Sequence, residues 1–356
     1  MRAVFLVLDS QPNRWVDGET TPHLSALAEE GGRALEGGRA VLSTATYPNH
    51  ASFATGSLPA AHGICTNDVW DGERFVGSET LGPRTQTLFA AARASGVSSA
   101  AVLGDQKLVG VMGAEAADRH WPPRGVLPEG TALDEFRYAA DTAVLAAIDE
   151  TAALDAEMVV LHLNEPDSAC HLFGPDAPES RARFRATDAV LGEIVERLRP
   201  GWEDTVLFVV SDHDQETMLD EPPVDLAALL AERGLPGAVA SEGTAAQVVG
   251  GPELSELLAL PGVEDGATFA PGHSLVWGLP GVAFGQVDWR LKGSHGSPRS
   301  EAQVAVVAGG HPLVGLLARK LALLRPAATD WAPTIAQILG FDLPHADGRS
   351  LFDAQR

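Results

Sequence analysis

Short, almost continuously apolar segments alternate with amphipathic segments along this chain of 356 residues, and this alternation constrains the fold most strongly. The apolar segments at residues 3–8, 158–163 and 205–210 each have the length of one β-strand. Strands that are apolar on both faces are typical of parallel sheets covered by helices on each side. The sequence therefore predicts an α/β fold with a mostly parallel central sheet.

Further elements are predicted between these strands. Strands are expected at residues 98–103 and 303–308, and helices at residues 138–154 and 180–198. A helix is also expected at residues 23–30, because a threonine followed by a proline precedes it, as is common where helices begin.

One segment differs from this pattern. Residues 215–291 are richer in Gly, Pro and Ala and contain only short apolar pieces. We interpret this segment as a small cap or excursion, inserted into a core that is formed by residues 1–214 and 292–356. The cap is not expected to fold as a separate unit.

The net charge limits the partners. The chain has 48 acidic and 25 basic residues, which gives a net charge of −23. Nucleic acid polymers and anionic membranes are bound through positive surfaces, so neither is expected as a partner. The longest apolar runs are too short to cross a membrane. The sequence does not define an oligomeric state.

The N-terminus and the cysteines favour a cytoplasmic location. A predicted strand begins two residues after Met1, which leaves no room for the charged and apolar regions of a signal peptide. Cys65 and Cys170 form no disulfide framework and no CxxC metal pair, and we expect them to be free thiols in a reducing compartment.

Carboxylates follow three of the predicted strands, at the edge where open α/β sheets bind ligands. Asp9 and Asp212 come soon after their strands, and Asp167 follows after a short turn. Histidines accompany two of them, with His171 four residues after Asp167 and His213 directly after Asp212. A lone Asp–His pair is more often a surface hydrogen bond, but its repetition at successive strand ends favours a metal site.

A sixth candidate ligand is His295, which lies between glycines that allow the backbone to approach a ligand closely. Histidine and carboxylate ligands without thiolates suit zinc, with manganese or iron as alternatives. Six ligands divide naturally into two sites of three. The candidate ligands are Asp9, Asp167, His171, Asp212, His213 and His295.

Thr46 is predicted to lie at the N-terminus of a helix. The proline two residues later indicates that a helix begins here, and Gly56 indicates its end. A hydroxyl at a helix N-terminus lies beside free backbone N–H groups, an arrangement that suits a phosphoryl group. A threonine at this position taken alone is usually only a helix cap.

Seven motifs resemble those of the alkaline phosphatase superfamily, and specifically its nucleotide pyrophosphatase/phosphodiesterase branch. The resemblance extends over residues 3–352 and is weakest over residues 76–157 and 214–290. The motifs are TPHL (21–24), TYPNH (46–50), TGSLPAAHGI (55–64), EPDSACHLFGP (165–175), SDH (211–213), GSHG (293–296) and APTI (332–335) followed by GRSL (348–351).

The resemblance implies an alkaline-phosphatase-like three-layer sandwich, two divalent metal ions and a phosphothreonine intermediate at Thr46. It also implies that Asn67 donates a hydrogen bond to a phosphoryl oxygen. One implied ligand set is Asp167, His171 and His295. The other is Asp9, Asp212 and His213, together with the Thr46 oxygen.

The resemblance also indicates where a substrate would bind. Members of this branch place a nucleobase between two aromatic side chains, and the matching positions here are Tyr47 and His162. A histidine can stack on a base, although the branch has a tyrosine at this position. The branch also has a glycine where this chain has Asp214, which we expect to support a metal ligand.

Lys107 favours a different substrate. It matches the second of two lysines that hold anionic groups in phosphonoacetate hydrolases of the same superfamily, but the first of the two is Asp105 here. The alternative interpretation of Lys107 is a surface lysine on a loop. A lysine that points into the site would indicate a substrate with a second negative end.

These observations predict a two-metal hydrolase of a small phosphorus-containing substrate, with phosphodiesters or nucleotide pyrophosphates as the leading substrates. The alternative is a phosphonoacetate-type phosphonate hydrolase or a phosphomonoesterase. A remote alternative is a catalytically idle metal-binding protein.

Overall fold

The computed structural model describes residues 1–285 and 291–353. Residues 286–290 of the predicted cap and residues 354–356 of the predicted core lie outside the described residues. No helix in the described ranges is both long enough and apolar enough to cross a membrane.

The strands and helices follow one another along the whole described chain. In chain order the strands are β1 (Arg2–Leu8), β2 (Gly32–Arg33), β3 (Gly38–Arg39), β4 (Asp68–Trp70), β5 (Phe75–Gly77), β6 (Ser99–Leu103), β7 (Arg119–Trp121), β8 (Met158–Leu163), β9 (Thr205–Val210), β10 (Glu216–Thr217), β11 (Ala238–Glu242), β12 (Ala245–Val249), β13 (Val263–Ala270), β14 (His273–Gly278), β15 (Gly293–Ser294), β16 (Ala302–Gln303) and β17 (Ala305–Ala308). The α-helices are α1 (Pro22–Glu30), α2 (Thr46–Thr55), α3 (Pro59–His62), α4 (Leu88–Ser95), α5 (Leu108–Val111), α6 (Asp141–Thr151), α7 (Glu165–Phe173), α8 (Pro178–Leu198), α9 (Leu226–Glu232), α10 (Leu254–Leu257), α11 (Leu313–Leu321) and α12 (Trp331–Leu339).

The central sheet has seven strands in the order β2-β17-β9-β1-β8-β6-β7. The five strands from β9 to β7 are parallel, whereas β17 pairs antiparallel with both β9 and β2. Every residue of β8 and β9 is buried, as their apolar sequences predict. The predicted strand at residues 303–308 is divided between β16 and β17.

Helices cover both faces of this sheet, which gives the predicted three layers. One apolar cluster packs the sheet against α2, α4, α5, α11 and α12, and a second packs its other face against α1, α6 and α8. The helix predicted at residues 138–154 begins later, at Asp141, so Tyr138 lies in the loop that precedes it.

The predicted cap has a sheet of its own. Strands β11-β12-β14-β13 form an antiparallel sheet that packs against α9 and α10. A separate apolar cluster lies beneath it, around Leu226, Leu230, Val248, Leu257 and Phe284. The described part of the predicted cap therefore has both a sheet and an apolar cluster of its own.

Candidate active site

Three adjacent strands bring the predicted carboxylates together. Because β9, β1 and β8 are neighbours in the sheet, the residues that follow their carboxyl ends meet at one edge. Asp9 follows β1 and Asp212 follows β9, and both are fully buried. Asp167 lies on α7, the helix that begins directly after β8.

The first ligand cluster consists of Asp9, Asp212 and His213. One ligand atom from each of the three lies within 4.8 Å of the others. His213 Nε2 is 3.2 Å from Asp212 Oδ2 and 3.9 Å from Asp9 Oδ1. This is one of the two ligand sets that the sequence resemblance implied.

The second cluster brings together Asp167, His295 and again His213, with ligand atoms within 4.8 Å. His171 lies directly beside it, with Nε2 at 3.5 Å from Asp167 Oδ1 and its ring centroid 5.1 Å from that of His295. Asp167 and His171 lie four residues apart on α7 and therefore point in the same direction. His213 lies between the two clusters, whereas the sequence resemblance had assigned it to only one ion.

Backbone carbonyls define the tautomers of two of these histidines. His171 Nδ1 donates to the carbonyl of Gly293 at 2.9 Å, and His213 Nδ1 donates to the carbonyl of Asp214 at 3.1 Å. Because the Nδ1 atom of each ring carries the proton, each Nε2 has a free lone pair. This is the usual arrangement of histidines that bind a metal through Nε2.

The charges of the site fit divalent cations. Asp9 Oδ1, Asp212 Oδ2 and His295 Nδ1 are buried atoms without a hydrogen-bond partner among the described residues. Burial, together with the neighbouring carboxylates of Asp212 and Asp167, raises the pKa of Asp9 well above its usual value. A cation between these groups would satisfy the unpaired atoms and offset the repulsion.

The second cluster places its carboxylate among histidines. Burial acts to raise the pKa of Asp167, but the surrounding histidines, led by His171, lower it to about 2. Burial lowers the pKa of His295 well below its usual value, so this ring is neutral and can bind a metal.

Ser10 and Gln215 connect the two clusters, and sequence reasoning missed both. The Ser10 hydroxyl donates to Asp167 Oδ1 at 2.7 Å and lies 3.0 Å from His213 Nδ1. Gln215 Nε2 donates to the same Asp167 oxygen at 2.6 Å. Ser10 has a left-handed φ of 55°, and its backbone N–H donates to Asp212 Oδ1 at 3.0 Å. Their only signal in the sequence is that each lies next to or near a ligand.

Thr46 and Asn67 lie beside the clusters. Thr46 is the first residue of α2, and its hydroxyl oxygen is 3.2 Å from His213 Nε2. Asn67 Oδ1 accepts a hydrogen bond from the backbone N–H of Tyr47 at 3.1 Å. Because the carbonyl oxygen of the Asn67 amide is used in this way, its Nδ2 group remains available to donate to a ligand.

Two tyrosines form a wall of the site. Tyr47 is buried, and its hydroxyl donates to Asp105 Oδ2 at 2.9 Å. Burial raises the pKa of Asp105 to about 6. Tyr138 contacts Tyr47 through its hydroxyl, and the carboxylates of Asp105, Asp167 and Asp9 raise its pKa. Tyr138 is therefore an aromatic residue of the site that the sequence analysis did not identify, because it lies in a loop with no motif.

His162 lies elsewhere than predicted. It is fully buried within β8, and its Nε2 donates to Asp9 Oδ2 at 2.8 Å. The backbone N–H of Asp105 approaches the other ring nitrogen at 3.4 Å. A ring enclosed in this way cannot stack on a base, so the predicted role of His162 in substrate binding does not agree with its position. Its contact with Asp9 indicates a role in holding a metal ligand.

Lys107 lies at the surface, close to the site. It lines a cavity of about 620 Å³ whose wall also includes Phe136, Arg137 and Tyr138. The Phe136 ring lies 5.9 Å from the ring of His171, so this cavity adjoins the second ligand cluster. Neither Lys107 nor Arg137 forms a side-chain ion pair with any other described residue.

Asp214 supports a ligand through its backbone. Its carbonyl accepts the proton of His213 Nδ1, whereas its carboxylate pairs with Arg14 and accepts the backbone N–H of Gln215 at 2.7 Å. The contact between Asp214 and a candidate ligand is therefore made by its main chain.

The fold and the two ligand clusters define an alkaline-phosphatase-like α/β protein with candidate metal sites. Residues 3–262 match the family model for type I phosphodiesterase/nucleotide pyrophosphatase, and the chain belongs to this family. The resemblance seen in the motifs is thereby confirmed.

Curated relatives are longer than the aligned region. Venom phosphodiesterase of Macrovipera lebetinus is 29% identical over 191 residues, which cover 50% of this chain and 21% of the venom protein. Human ectonucleotide pyrophosphatase/phosphodiesterase family member 7 is 28% identical over 211 residues, which cover 56% of this chain and 44% of the human protein. The chain thus matches less than half the length of either relative.

Solved structures share the complete fold. Murine ectonucleotide pyrophosphatase/phosphodiesterase 5 superimposes with a TM-score of 0.75 at 18% identity, covering 100% of this chain and 99% of that chain. Phosphonoacetate hydrolase from Sinorhizobium meliloti, in complex with phosphonoformate, gives a TM-score of 0.70 at 18% identity, covering 95% of this chain and 96% of that one. The predicted alkaline-phosphatase-like fold is confirmed.

Proposed function

We propose that this protein hydrolyses phosphodiesters or nucleotide pyrophosphates through a phosphothreonine at Thr46. The observation that carries this proposal is the position of the Thr46 oxygen, at a helix N-terminus and 3.2 Å from the histidine that lies between both ligand clusters. The phosphodiesterase and pyrophosphatase names of the relatives support it, as does the complex of murine family member 5 with AMP.

Two divalent ions, with zinc as the expected metal, would bind to the two clusters. The residues that would hold them are Asp9, Thr46, Asp167, His171, Asp212, His213 and His295. When bound, such ions would lower the pKa of the Thr46 hydroxyl and offset charge on the phosphoryl group. Manganese and iron have compatible ligand preferences.

The chain itself orients the reacting groups. The Thr46 hydroxyl releases its proton to solvent and its oxygen bonds to phosphorus. The bond between phosphorus and the leaving oxygen breaks, and the leaving oxygen keeps the electron pair and takes up a proton from solvent. At the start of α2 the Tyr47 N–H is already bonded to Asn67 Oδ1 and Pro48 has no N–H, so the Thr46 N–H and Asn67 Nδ2 are the donors placed to meet phosphoryl oxygens. Water then cleaves the phosphothreonine and restores the Thr46 hydroxyl.

A substrate panel tests this proposal. The purified protein, with zinc or manganese added, is assayed on thymidine 5′-monophosphate p-nitrophenyl ester, p-nitrophenyl phosphate and phosphonoacetate. The highest kcat/KM is expected on the diester. Greater activity on either of the other substrates would favour the second candidate function, and inactivity on all of them with both metals would favour an idle metal-binding protein.

The second candidate function is a phosphonate or phosphomonoester hydrolase, and the cavity that contains Lys107 and Arg137 favours it. Lys107 and Arg137 form no ion pair with a described residue and line the same cavity, so together they could bind a second anionic end of a substrate. In this case Arg137→Gln should lower kcat/KM on phosphonoacetate by roughly tenfold to hundredfold. The matched control is Arg124→Gln. Arg124 is also an exposed arginine and, like Arg137, has a positive φ, but it does not line the cavity.

A further inference from the structure

The tip of one cap hairpin is attached to the candidate active site. Strands β11 and β12 are joined by a two-residue turn, Gly243 and Thr244. The backbone N–H and the hydroxyl of Thr244 both donate to the carbonyl of His295, at 2.8 and 3.0 Å. The Thr244 hydroxyl also accepts the backbone N–H of Ser297 at 3.1 Å. The cap therefore contacts the segment that contains a candidate metal ligand.

Glu242, the last residue of β11, extends this attachment to Asn67. Its Oε2 accepts the backbone N–H of Asn67 at 2.5 Å, and its side chain is buried. The other end of Asn67 is held by Tyr47, whose N–H donates to Asn67 Oδ1 at 3.1 Å. Asn67 is thus held at both its main chain and its side-chain oxygen, and only Nδ2 is left to meet a ligand.

No residue in the described part of the chain forms an ion pair with Glu242 that would explain a buried carboxyl. Asp68 is the charged group beside it, and it has the same sign. Burial raises the pKa of Glu242 to about 8. Within the described residues, the hydrogen bond to Asn67 is the one polar contact of this side chain. Burying the Glu242 carboxyl without an ion-pair partner costs free energy. We therefore look for a functional reason for its hydrogen bond to Asn67.

We propose that Glu242 is a positioning residue, which holds the main chain of Asn67 so that Asn67 Nδ2 meets a phosphoryl oxygen. This inference rests on the proposed function. Without the Glu242 carboxyl, the N–H of Asn67 loses its acceptor and the segment from Asn67 into β4 can shift. A shift of about 1 Å in a group that contacts the reacting atoms is sufficient to lower a rate roughly hundredfold.

A double-mutant cycle tests whether Glu242 acts through Asn67. On a diester substrate, Asn67→Ala should lower kcat by about 10²–10³-fold, the usual effect of removing one donor to a developing oxyanion. Glu242→Ala should lower kcat at least about tenfold in the wild-type protein and less than about twofold in the Asn67→Ala protein, because coupled residues are not additive. Glu242→Gln retains an acceptor oxygen and should keep kcat within about threefold of wild type.

The control is Glu256→Ala, which removes an exposed carboxyl from the cap helix α10 and should leave kcat unchanged. Thermal unfolding shows which variants are folded, and Glu242→Met replaces Glu242→Ala if the latter is not. Equal losses of kcat in both backgrounds, or a Glu242→Gln variant as impaired as Glu242→Ala, would overturn the inference while leaving the proposed function intact. A wild-type protein that hydrolyses no phosphorus ester would overturn the proposed function, and the inference with it.

Discussion

At the scale of single residues, the hydrogen bond made by one ring nitrogen of each histidine determines what the other nitrogen can do. His171 and His213 use Nδ1 as a donor to backbone carbonyls, which leaves Nε2 free to bind a cation. His162 is arranged in the opposite way, because its Nε2 donates to Asp9. Two of the histidines are therefore prepared as ligands, whereas the third orients a ligand.

Thr46 provides the most direct test of the covalent mechanism. Thr46→Ala should remove nearly all turnover while the fold and the metal content remain unchanged, because only one hydroxyl is lost. Thr46→Ser should retain part of the rate, because it keeps a hydroxyl on the same helix. Steady-state kinetics on a diester, with metal analysis of each variant, provide the measurement. A Thr46→Ala protein within about tenfold of wild type would show that a water molecule is the nucleophile.

His162→Phe should weaken metal binding rather than nucleotide binding. The ring that orients Asp9 loses its N–H donor, and removal of such a support commonly costs about 10- to 100-fold in metal affinity. Competition with a chelator measures this affinity, and KM on a nucleotide diester is measured with metal in excess. His345→Phe is the control, because His345 is exposed. Normal metal affinity with a raised KM would instead support a role of His162 in base stacking.

At the scale of elements, α7 connects the central sheet to the second ligand cluster. The buried Asp141, at the start of α6, accepts the backbone N–H groups of Asn164 and Glu165 at 3.0 and 3.3 Å. Its other oxygen accepts the hydroxyl of Thr187 on α8 at 2.5 Å. One carboxyl thus holds the first turn of the helix that carries Asp167.

This carboxyl should make the stability of the protein depend on pH. Burial raises the pKa of Asp141 from 3.8 to about 7, so the folded protein holds one more proton than the unfolded chain between these values. The contribution of Asp141 to stability is therefore complete below pH 3.8 and declines as pH rises through about 7. Urea unfolding measures the free energy of unfolding at pH 5 and at pH 8. This free energy should fall more from pH 5 to pH 8 for wild type than for Asp141→Asn. An equal difference at both pH values would contradict this assignment.

The sequence was most informative where a side chain is fixed by its own element. Asp9 and Asp212 follow apolar strands, and the order of parallel strands brings such ends together, so their convergence was predictable. His162 was misplaced because its position was inferred from its distance to Asp167 along the chain. It is the fifth of six residues in β8, opposite Val7 and Leu103, and lies inside the sheet.

Contacts between distant segments could not be predicted in the same way. Glu242 and Asn67 are 175 residues apart, and no motif connects the cap hairpin with the loop that follows α3. Tyr138 likewise enters the site from a loop, because α6 begins three residues later than its apolar pattern alone indicated. These residues become neighbours only through the packing of complete elements.

At the scale of the whole molecule, an acidic chain concentrates several of its carboxylates in one buried region. The net charge is −23, and Asp9, Asp167 and Asp212 lie within two adjoining clusters that also contain three histidines. Repulsion among the three carboxylates, which contributes to the raised pKa of Asp9, opposes folding and would be offset by cations. The ions should therefore stabilise the complete fold in addition to supporting catalysis.

Removal of the ions should lower both stability and activity, and readdition should restore both. Protein purified without chelator should contain about two divalent ions per chain, with zinc expected. Dialysis against a strong chelator should lower Tm, because ligands that bind only the folded state stabilise it by mass action. Atomic emission spectrometry and thermal unfolding of the same samples measure the two quantities. The matched variant is Asp212→Asn, which should contain less metal than wild type. Its Tm should differ much less between metal-loaded and chelated samples than the Tm of wild type does. A single ion per chain, or a Tm that is indifferent to chelation, would contradict the two-ion arrangement at this edge of the sheet.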